Sequence, residues 1–192
     1  MSYDYCFKLL IIGGENSGKS SICKKKSLNY FNPYYNETIG IEFSTCSLEI
    51  CDQVQIKCQL WDTSGNKRFY KLVEKYFKNN AGIIIVFDIT NRKSFDRVGF
   101  WLNKIDHKTK ILLLGNKVDK EGERKVSFEE ATAYAKQRGI PFFETSAKEN
   151  INIDESLKKF CQIIYNNYIE QGSTGIIKLK KSKDTNHEWC CC

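Results

Sequence analysis

The chain has 192 residues, enough for one domain with a well-buried core, and its 41% hydrophobic and 28% charged residues are ordinary for a soluble globular protein. No apolar run approaches the roughly 20 residues that a membrane-spanning helix needs, and the N-terminal sequence MSYDYC lacks a secretory-signal pattern. The net charge of +7 is spread thinly, except for Lys178, Lys180, Lys181 and Lys183 near the C-terminus. We therefore expect a soluble intracellular chain that does not bind nucleic acid. The basic cluster suits an acidic membrane surface, or is simply a solvated segment.

Several stretches have the pattern of β-strands. Residues 7–12 are a short apolar run that ends at two glycines, and residues 53–61 alternate apolar and polar side chains like a half-exposed strand. Residues 41–50 are expected to pair with 53–61 through a short turn. Residues 83–87 and 111–114 are predicted to be further buried strands.

Helical patterns lie between these strands. Residues 20–28 are predicted to be helical, and residues 98–105 carry the i, i+3, i+4, i+7 apolar spacing of an amphipathic helix. Ser127 and Asn152 are each followed by glutamate three residues later, which is typical of a helix start, and Gly139 can end the first of these helices.

The alternation of strands and helices predicts the α/β class with a mainly parallel central sheet. Helical periodicity fades after Gly172 into glycine, serine, threonine and lysine. We expect one domain over residues 1–170 and a flexible tail over 171–192.

A phosphate-binding loop is predicted after the first strand. Residues 13–20 match the motif G-x-x-x-x-G-K-S between a predicted strand and a predicted helix, a context that argues against a chance glycine turn. Backbone N–H groups of such a loop bind phosphate, while Lys19 would reach the terminal phosphates and the Ser20 hydroxyl would ligate Mg²⁺. The expected nucleotide contacts here are Gly13, Gly14, Glu15, Asn16, Ser17, Gly18, Lys19, Ser20 and Ser21.

A second candidate for the metal is Asp62, which follows a predicted strand. A carboxylate there can hold Mg²⁺ directly or through water, and the backbone N–H of Gly65 could meet a terminal phosphate. An aspartate after a strand is more often a turn residue, but the nearby phosphate loop favours the metal role.

Base recognition is predicted at residues 116–119, Asn-Lys-Val-Asp, after a buried strand. The Asp119 carboxylate can accept two hydrogen bonds from guanine N1–H and the 2-amino group, which adenine cannot provide. The backbone of residues 144–148 can meet the guanine 6-oxygen. The expected contacts with GTP or GDP here are Asn116, Lys117, Asp119, Ser146, Ala147 and Lys148.

Together these motifs resemble the Ras-like small GTPases. Residues 38–43 (Thr-Ile-Gly-Ile-Glu-Phe), 61–65 (Trp-Asp-Thr-Ser-Gly) and 88–91 (Asp-Ile-Thr-Asn), with the terminal Cys-Cys-Cys, are similar to the Rab family. The resemblance covers roughly residues 5–170 and the C-terminal tip. It implies a P-loop NTPase G domain: a mostly parallel sheet with one antiparallel edge strand, and helices on both faces.

The resemblance also implies roles for individual residues. Thr38 would ligate Mg²⁺ and sense the γ-phosphate, and Phe31 would pack on the base. Phe43, Trp61 and Tyr76 would form an aromatic effector surface, although ordinary packing explains these three aromatics equally well.

Two departures from the family pattern bear on hydrolysis. Glu15 and Asn16 replace small residues, and Asn66 stands where the family has a water-orienting glutamine, followed by Lys67 in place of an acid. Glu15 would oppose phosphate charge unless it turns outward or pairs with Lys67. The catalytic residues would be Asn66, Lys19 and Gly65, with slow hydrolysis; the alternative is that Asn66 is only a turn residue.

A further departure is the segment between Trp101 and Asn116, which is a few residues shorter than is usual in the family. The resemblance places this segment far from the phosphates, so the shortening should trim one helix or loop without affecting guanine binding.

The three terminal cysteines, Cys190, Cys191 and Cys192, resemble sites for geranylgeranyl chains; metal binding and adventitious thiols are the alternatives. Two chains, or one chain with the neighbouring lysines, would anchor the protein stably to a membrane.

We therefore expect a Rab-type GTP/GDP switch in vesicle traffic, on the cytoplasmic face of intracellular membranes with a cytosolic pool. The expected partners are exchange factors, GTPase-activating proteins, effectors, prenylation escort proteins and GDP-dissociation inhibitors. One alternative is a hydrolysis-deficient GTP-binding scaffold that recruits effectors. Another is a P-loop kinase, which would need an arginine-bearing lid that the sequence lacks.

Overall fold

The computed structural model describes residues 2–34, 36–172 and 175–179. A central sheet has the strand order β2-β3-β1-β4-β5-β6, with β7 paired to β1 off this path. The strands are β1 (Tyr5–Gly13), β2 (Ile41–Glu49), β3 (Gln55–Thr63), β4 (Gly82–Asp88), β5 (Ile111–Asn116), β6 (Phe142–Thr145) and β7 (Ile176–Lys178).

Helices cover both faces of this sheet. One face is packed by α1 (Lys19–Leu28) and α6 (Ile153–Gln171), and the other by α2 (Tyr70–Lys75), α3 (Arg92–Asp96), α4 (Val98–Leu102) and α5 (Phe128–Gln137). Every residue of β4 is buried because helices lie on both of its faces, as its unbroken apolar sequence predicted. None of the helices in the described part of the chain is long and apolar enough to cross a membrane.

The predicted fold class is confirmed. β1 pairs in parallel with β3 and β4, β4 with β5, and β5 with β6, whereas the edge strand β2 is antiparallel to β3. Parallel strands place their carboxyl ends at one edge, and the loops that follow β1, β3, β5 and β6 meet there.

The predicted flexible tail is wrong for its first part. Residues 176–178 form β7, which pairs antiparallel with Tyr5–Phe7 of β1. β4 pairs with β1 only from Leu9 onward, so the first residues of β1 have a free edge, which β7 occupies. Residues 173–174 and 180–192 of the predicted tail lie outside the described residues.

The ends of three predicted helices can be compared with the structure. The helix expected over 98–105 ends at Leu102, and the chain then turns, although Ile105 remains buried. The Ser127 hydroxyl accepts the N–H of Glu130 at 3.1 Å, as a cap should. Asn152 precedes α6 but does not cap it: its φ is 55° and its side chain donates to the carbonyl of Glu144 at 2.8 Å.

Candidate functional site

The loop of residues 13–18 connects β1 to α1 and lies against the neighbouring strands. Gly13 has a φ of 151°, and a Cβ there would lie 2.1 Å from the Val86 carbonyl oxygen of β4. Gly18 has a φ of 92°, and a Cβ there would lie 2.0 Å from Asn116 Nδ2. Only glycine fits either position, which explains the glycines that the motif predicted.

Inside this loop, two side chains converge on one carbonyl group. Ser17 Oγ donates to the Gly14 oxygen at 3.0 Å, and Lys19 Nζ donates to the same oxygen at 2.8 Å. Burial lowers the pKa of Lys19 from 10.5 to about 8, although the nearby charges of Asp62 and Glu15 favour the protonated form. A buried ammonium group here is stabilised by an anion, and phosphate supplies one.

Three oxygen-bearing side chains meet beside this lysine. Ser20 Oγ, at the start of α1, lies 2.9 Å from Thr38 Oγ1 and donates to Asp62 Oδ2 at 2.5 Å. Thr38 Oγ1 lies 3.4 Å from the same carboxylate oxygen. Residues from three separate parts of the chain therefore form one cluster.

These oxygens fit Mg²⁺. Asp62 Oδ1 is buried and has no hydrogen-bond partner among the described residues, and burial raises the pKa of this carboxyl group, although Ser20 and Lys19 oppose the rise. A divalent cation would favour the ionised carboxylate and use the free oxygen. No group of three His, Cys, Asp or Glu in the described ranges forms a metal cage, so the candidate ligands are one carboxylate and two hydroxyls.

Asn116 links the phosphate loop to the expected base-binding residues. Its side chain is buried at the end of β5, and Nδ2 donates to the Ser17 carbonyl at 3.0 Å. Its Oδ1 accepts from Thr145 Oγ1 and from the Ala147 N–H, both at 3.3 Å. One amide thus fixes three loops relative to one another.

The predicted guanine-binding residues lie close together at this edge. Ser146 Oγ donates to Asp119 Oδ1 at 2.6 Å, which orients the carboxylate. Lys117 adopts a φ of 74°, and its ammonium group lies 2.8 Å from Asp88 Oδ2 at the end of β4. Lys148 pairs only with its neighbour Glu149 at 3.3 Å within the described structure. Phe31 is half-buried and packs against the core cluster beneath α1 and α6.

Gly65 and Asn66 follow β3 and contact other parts of the site. A Cβ on Gly65 would lie 2.5 Å from the Glu15 nitrogen and 2.6 Å from the Gly14 carbonyl, so this glycine lies directly on the phosphate loop. Asn66 Oδ1 accepts the Arg68 N–H at 3.0 Å, and its Nδ2 donates to Glu37 Oε1 at 2.8 Å.

Both ends of the Asn66 amide therefore make protein contacts, one capping a turn and one reaching the segment before Thr38. Glu15 is exposed but near enough for its charge to favour the protonated form of Lys19, and no ion pair between Glu15 and Lys67 is formed among the described residues.

The predicted aromatic surface is contiguous. The Phe43 and Trp61 rings lie 5.5 Å apart, and the Trp61 and Tyr76 rings 5.8 Å apart. Phe43 is 54% exposed, whereas Trp61 and Tyr76 also pack against the core. Lys8 Nζ lies 4.4 Å from the centre of the Trp61 ring, a contact that the sequence did not predict.

Four residues of this region were missed by the sequence argument: Asp88, Thr145, Glu37 and Lys8. Asp88 and Thr145 end β4 and β6, and their position at the carboxyl edge was a usable signal. Glu37 and Lys8 are positioned by long-range packing, which no local pattern reports.

The candidate lipidation sites Cys190, Cys191 and Cys192 lie outside the described residues.

Comparison with known proteins agrees with this geometry. A sequence model of the Ras family matches residues 8–166. The chain is 41% identical over 159 residues to "GTP-binding protein ypt2" of Schizosaccharomyces pombe, covering 81% of this chain and 79% of the relative. It is 37% identical over 193 residues to "Ras-related protein Rab-13" of Bos taurus, covering 98% and 93%. It is 38% identical over 167 residues to "Ras-related protein Rab11B" of Nicotiana tabacum, covering 85% and 76%.

Proposed function

The chain belongs to the Ras family, among relatives of Rab type, and on that premise we propose that it is a GTP-binding switch in vesicle traffic that hydrolyses GTP to GDP and phosphate. The observation that carries this proposal is the meeting of three groups at one sheet edge: the phosphate loop, the cluster Ser20–Thr38–Asp62 and the pair Asp119–Ser146. The loop suits the phosphates, the oxygen cluster suits the Mg²⁺ that accompanies them, and the Asp119–Ser146 pair suits the guanine base.

Base selection falls to Asp119, whose carboxylate accepts from guanine N1–H and the 2-amino group. Ser146 holds one carboxylate oxygen at 2.6 Å, and Asn116 keeps this loop in register with the phosphate loop. An adenine in the same position would leave the carboxylate without donors, which disfavours ATP strongly.

Phosphate binding falls to the loop N–H groups and to Lys19, whose ammonium now donates to the Gly14 carbonyl and would turn to the phosphates. Ser20, Thr38 and Asp62 would hold Mg²⁺, which neutralises charge between the β- and γ-phosphates. Thr38 and Gly65 belong to the segments that would contact the γ-phosphate and relax when it is lost.

We propose further that intrinsic hydrolysis is slow. The Asn66 amide is one methylene shorter than that of a glutamine, and it already bonds Glu37 and the Arg68 N–H. These two contacts fix the position of the amide, so it would have to move to place an attacking water, and misplacement by about 1 Å costs on the order of a hundredfold in rate. The exposed carboxylate of Glu15 adds negative charge near the phosphates.

The test begins with the nucleotide that copurifies with the full-length protein, which should be GDP or GTP. Single-turnover GTP hydrolysis is then measured for the wild type, Asn66→Gln, Glu15→Ser and the double variant. We expect slow wild-type turnover and an increase of up to about a hundredfold in the double variant.

Glu37→Ala should remove the acceptor of Asn66 Nδ2 and so change the rate of GTP hydrolysis. Glu49→Ala, at the far end of β2, is a matched control that should leave this rate unchanged. A fast wild type that Asn66→Gln does not improve would refute the proposed role of Asn66. Bound adenine nucleotide would refute the proposed function.

Partner binding and membrane attachment belong to the same proposal. The surface of Phe43, Trp61 and Tyr76 would receive effectors, and exchange factors, GTPase-activating proteins, escort proteins and dissociation inhibitors would act on the switch. Geranylgeranyl groups on Cys190–Cys192 would hold it on the cytoplasmic face of intracellular membranes, with a cytosolic pool. The exposed Phe43 ring and its ring contact with Trp61 support the effector surface.

A further inference from the structure

A cavity of about 340 Å³ lies at the sheet edge opposite the nucleotide site. It opens between the chain leading into β4, the chain leading into β5 and the last turns of α6. Its lining includes Lys78, Asn80, Lys108, Lys110 and Asn167. The segment before β5 forms one side of this concavity. We call it the distal lysine pocket.

The distal lysine pocket carries excess positive charge. Lys78, Lys108 and Lys110 form no ion pair with any residue in the described ranges, in contrast to Lys104, whose ammonium lies 2.5 Å from Glu74. The acid in the lining is Asp106, whose Oδ1 accepts the backbone N–H of Lys108 at 2.8 Å. Three lysines against one carboxylate leave a net positive charge, which suits an anion.

The pocket also offers hydrogen-bonding groups. Asn80 is buried in its lining, and its Nδ2 donates to the Tyr76 carbonyl. Asn79, Thr109 and Asn167 complete the uncharged polar part of the lining. A ligand with both phosphate and hydroxyl groups would match this lining better than a bare anion.

The position of the pocket relates it to the C-terminal segment. The backbone of Gly175 lies against Asn80 and Ala81, since a Cβ there would be 2.3 Å from atoms of both. From Gly175 the chain runs along β1 to Leu179, whose N–H donates to the Asp4 carbonyl at the amino end of β1. The segment that carries the candidate lipidation sites therefore leaves from the same edge of the sheet as the pocket.

We propose that the distal lysine pocket binds the headgroup of a phosphorylated phosphatidylinositol in the membrane to which the protein is anchored. This inference rests on the proposed lipid anchoring, which would bring that edge of the sheet to the bilayer. The lysines would contact the headgroup phosphates, and Asn79, Thr109 and Asn167 would hydrogen-bond to inositol hydroxyls. The occupied pocket would orient the domain with its nucleotide edge away from the lipid.

The test uses the full-length, unlipidated protein with sedimenting vesicles. The vesicles are phosphatidylcholine mixed either with a phosphorylated phosphatidylinositol or with phosphatidylserine at equal surface charge. The pocket variant carries Lys78→Gln, Lys108→Gln and Lys110→Gln. The control variant carries Lys93→Gln, Lys125→Gln and Lys158→Gln, three exposed lysines without ion pairs among the described residues. Both variants lose the same charge and keep the C-terminal lysines.

If each pocket lysine that contacts a headgroup phosphate contributes about fivefold to partitioning, the pocket variant should bind phosphoinositide vesicles on the order of a hundredfold more weakly than the wild type, with a smaller loss on phosphatidylserine vesicles. The control variant should lose much less, and the soluble headgroup should compete with the vesicles. Equal losses in both variants, or equal losses on both vesicle types, would show general surface charge and overturn the proposal. Capture of the soluble headgroup without vesicle binding would also overturn it.

The measurement separates this inference from the proposed function. GTP affinity is measured on the same samples, and the pocket lies at the opposite edge of the sheet, so both variants should bind GTP like the wild type. Loss of vesicle binding with normal GTP binding supports the pocket. Absence of GTP binding in the wild type would overturn the proposed function and, with it, the anchoring on which this inference rests.

Discussion

Replacing Asn116 with alanine should destabilise the protein and speed the release of GDP. The amide is 2% exposed and bonds the Ser17 carbonyl, the Thr145 hydroxyl and the Ala147 N–H. Truncation removes a partner from two buried backbone groups, and each such loss costs about 1–3 kcal/mol. We expect the free energy of unfolding to fall by about 2–6 kcal/mol, a large part of the roughly 5–15 kcal/mol typical of a domain.

Urea unfolding measures the stability, and displacement of a fluorescent GDP analogue measures release. Each 1.4 kcal/mol by which the substitution destabilises the GDP complex relative to the nucleotide-free protein should speed GDP release about tenfold. Asn116→Asp is the informative companion, because it keeps the acceptor for Thr145 and Ala147 but turns an oxygen toward the Ser17 carbonyl. Asn103→Ala, at an exposed asparagine, is the control. Unchanged unfolding and GDP release in Asn116→Ala would refute the claim that this side chain joins the loops.

Asp119→Asn should weaken GTP binding and favour xanthine nucleotides, because an amide can donate to the 2-oxo group; equal affinity of the unmodified protein for ATP and GTP in calorimetry would contradict the base assignment. The nucleotide-free protein should gain stability as pH rises from about 8 to 10.5, because burial lowers the pKa of Lys19 and the unfolded chain binds more protons in that window. A pH series of urea titrations should show a rise of about 3 kcal/mol at most, which Lys19→Met should abolish. Removal of Cys190–Cys192 should make the protein cytosolic in cell fractionation, and unchanged membrane recovery would contradict the lipid anchor.

The larger elements of the fold could be predicted because their patterns are local. The alternation over 53–61 and the apolar runs that became β4 and β5 each identify a strand by side-chain periodicity alone. The missed elements are short: α2 has 6 residues, α3 has 5, β6 has 4 and β7 has 3, too few for a periodic pattern to be distinguished. Asn152 carried the residue type of a cap but not its backbone conformation, which depends on the Glu144 carbonyl in β6.

The candidate site was predictable to the extent that its chemistry follows from motifs. Ser20 and Asp62 meet because the carboxyl ends of β1 and β3 are adjacent, and both residues belong to recognisable patterns. The contact between Asn66 and Glu37 joins segments 29 residues apart, and no periodicity links them. The sequence therefore indicated which amide stands at the position proposed for catalysis but not that this amide is already bonded to other parts of the chain.

Strand β3 carries neighbouring residues with different tasks on opposite faces. Trp61 belongs to the aromatic surface, and Asp62 lies in the oxygen cluster. Both are held in register by β1 on one side and β2 on the other. Because alternate side chains of a strand point in opposite directions, deletion of one residue anywhere between Gln55 and Leu60 would exchange the two faces. Natural variation in the length of this chain should therefore spare β3 and fall in its loops, where an added residue does not turn the proposed metal ligand outward.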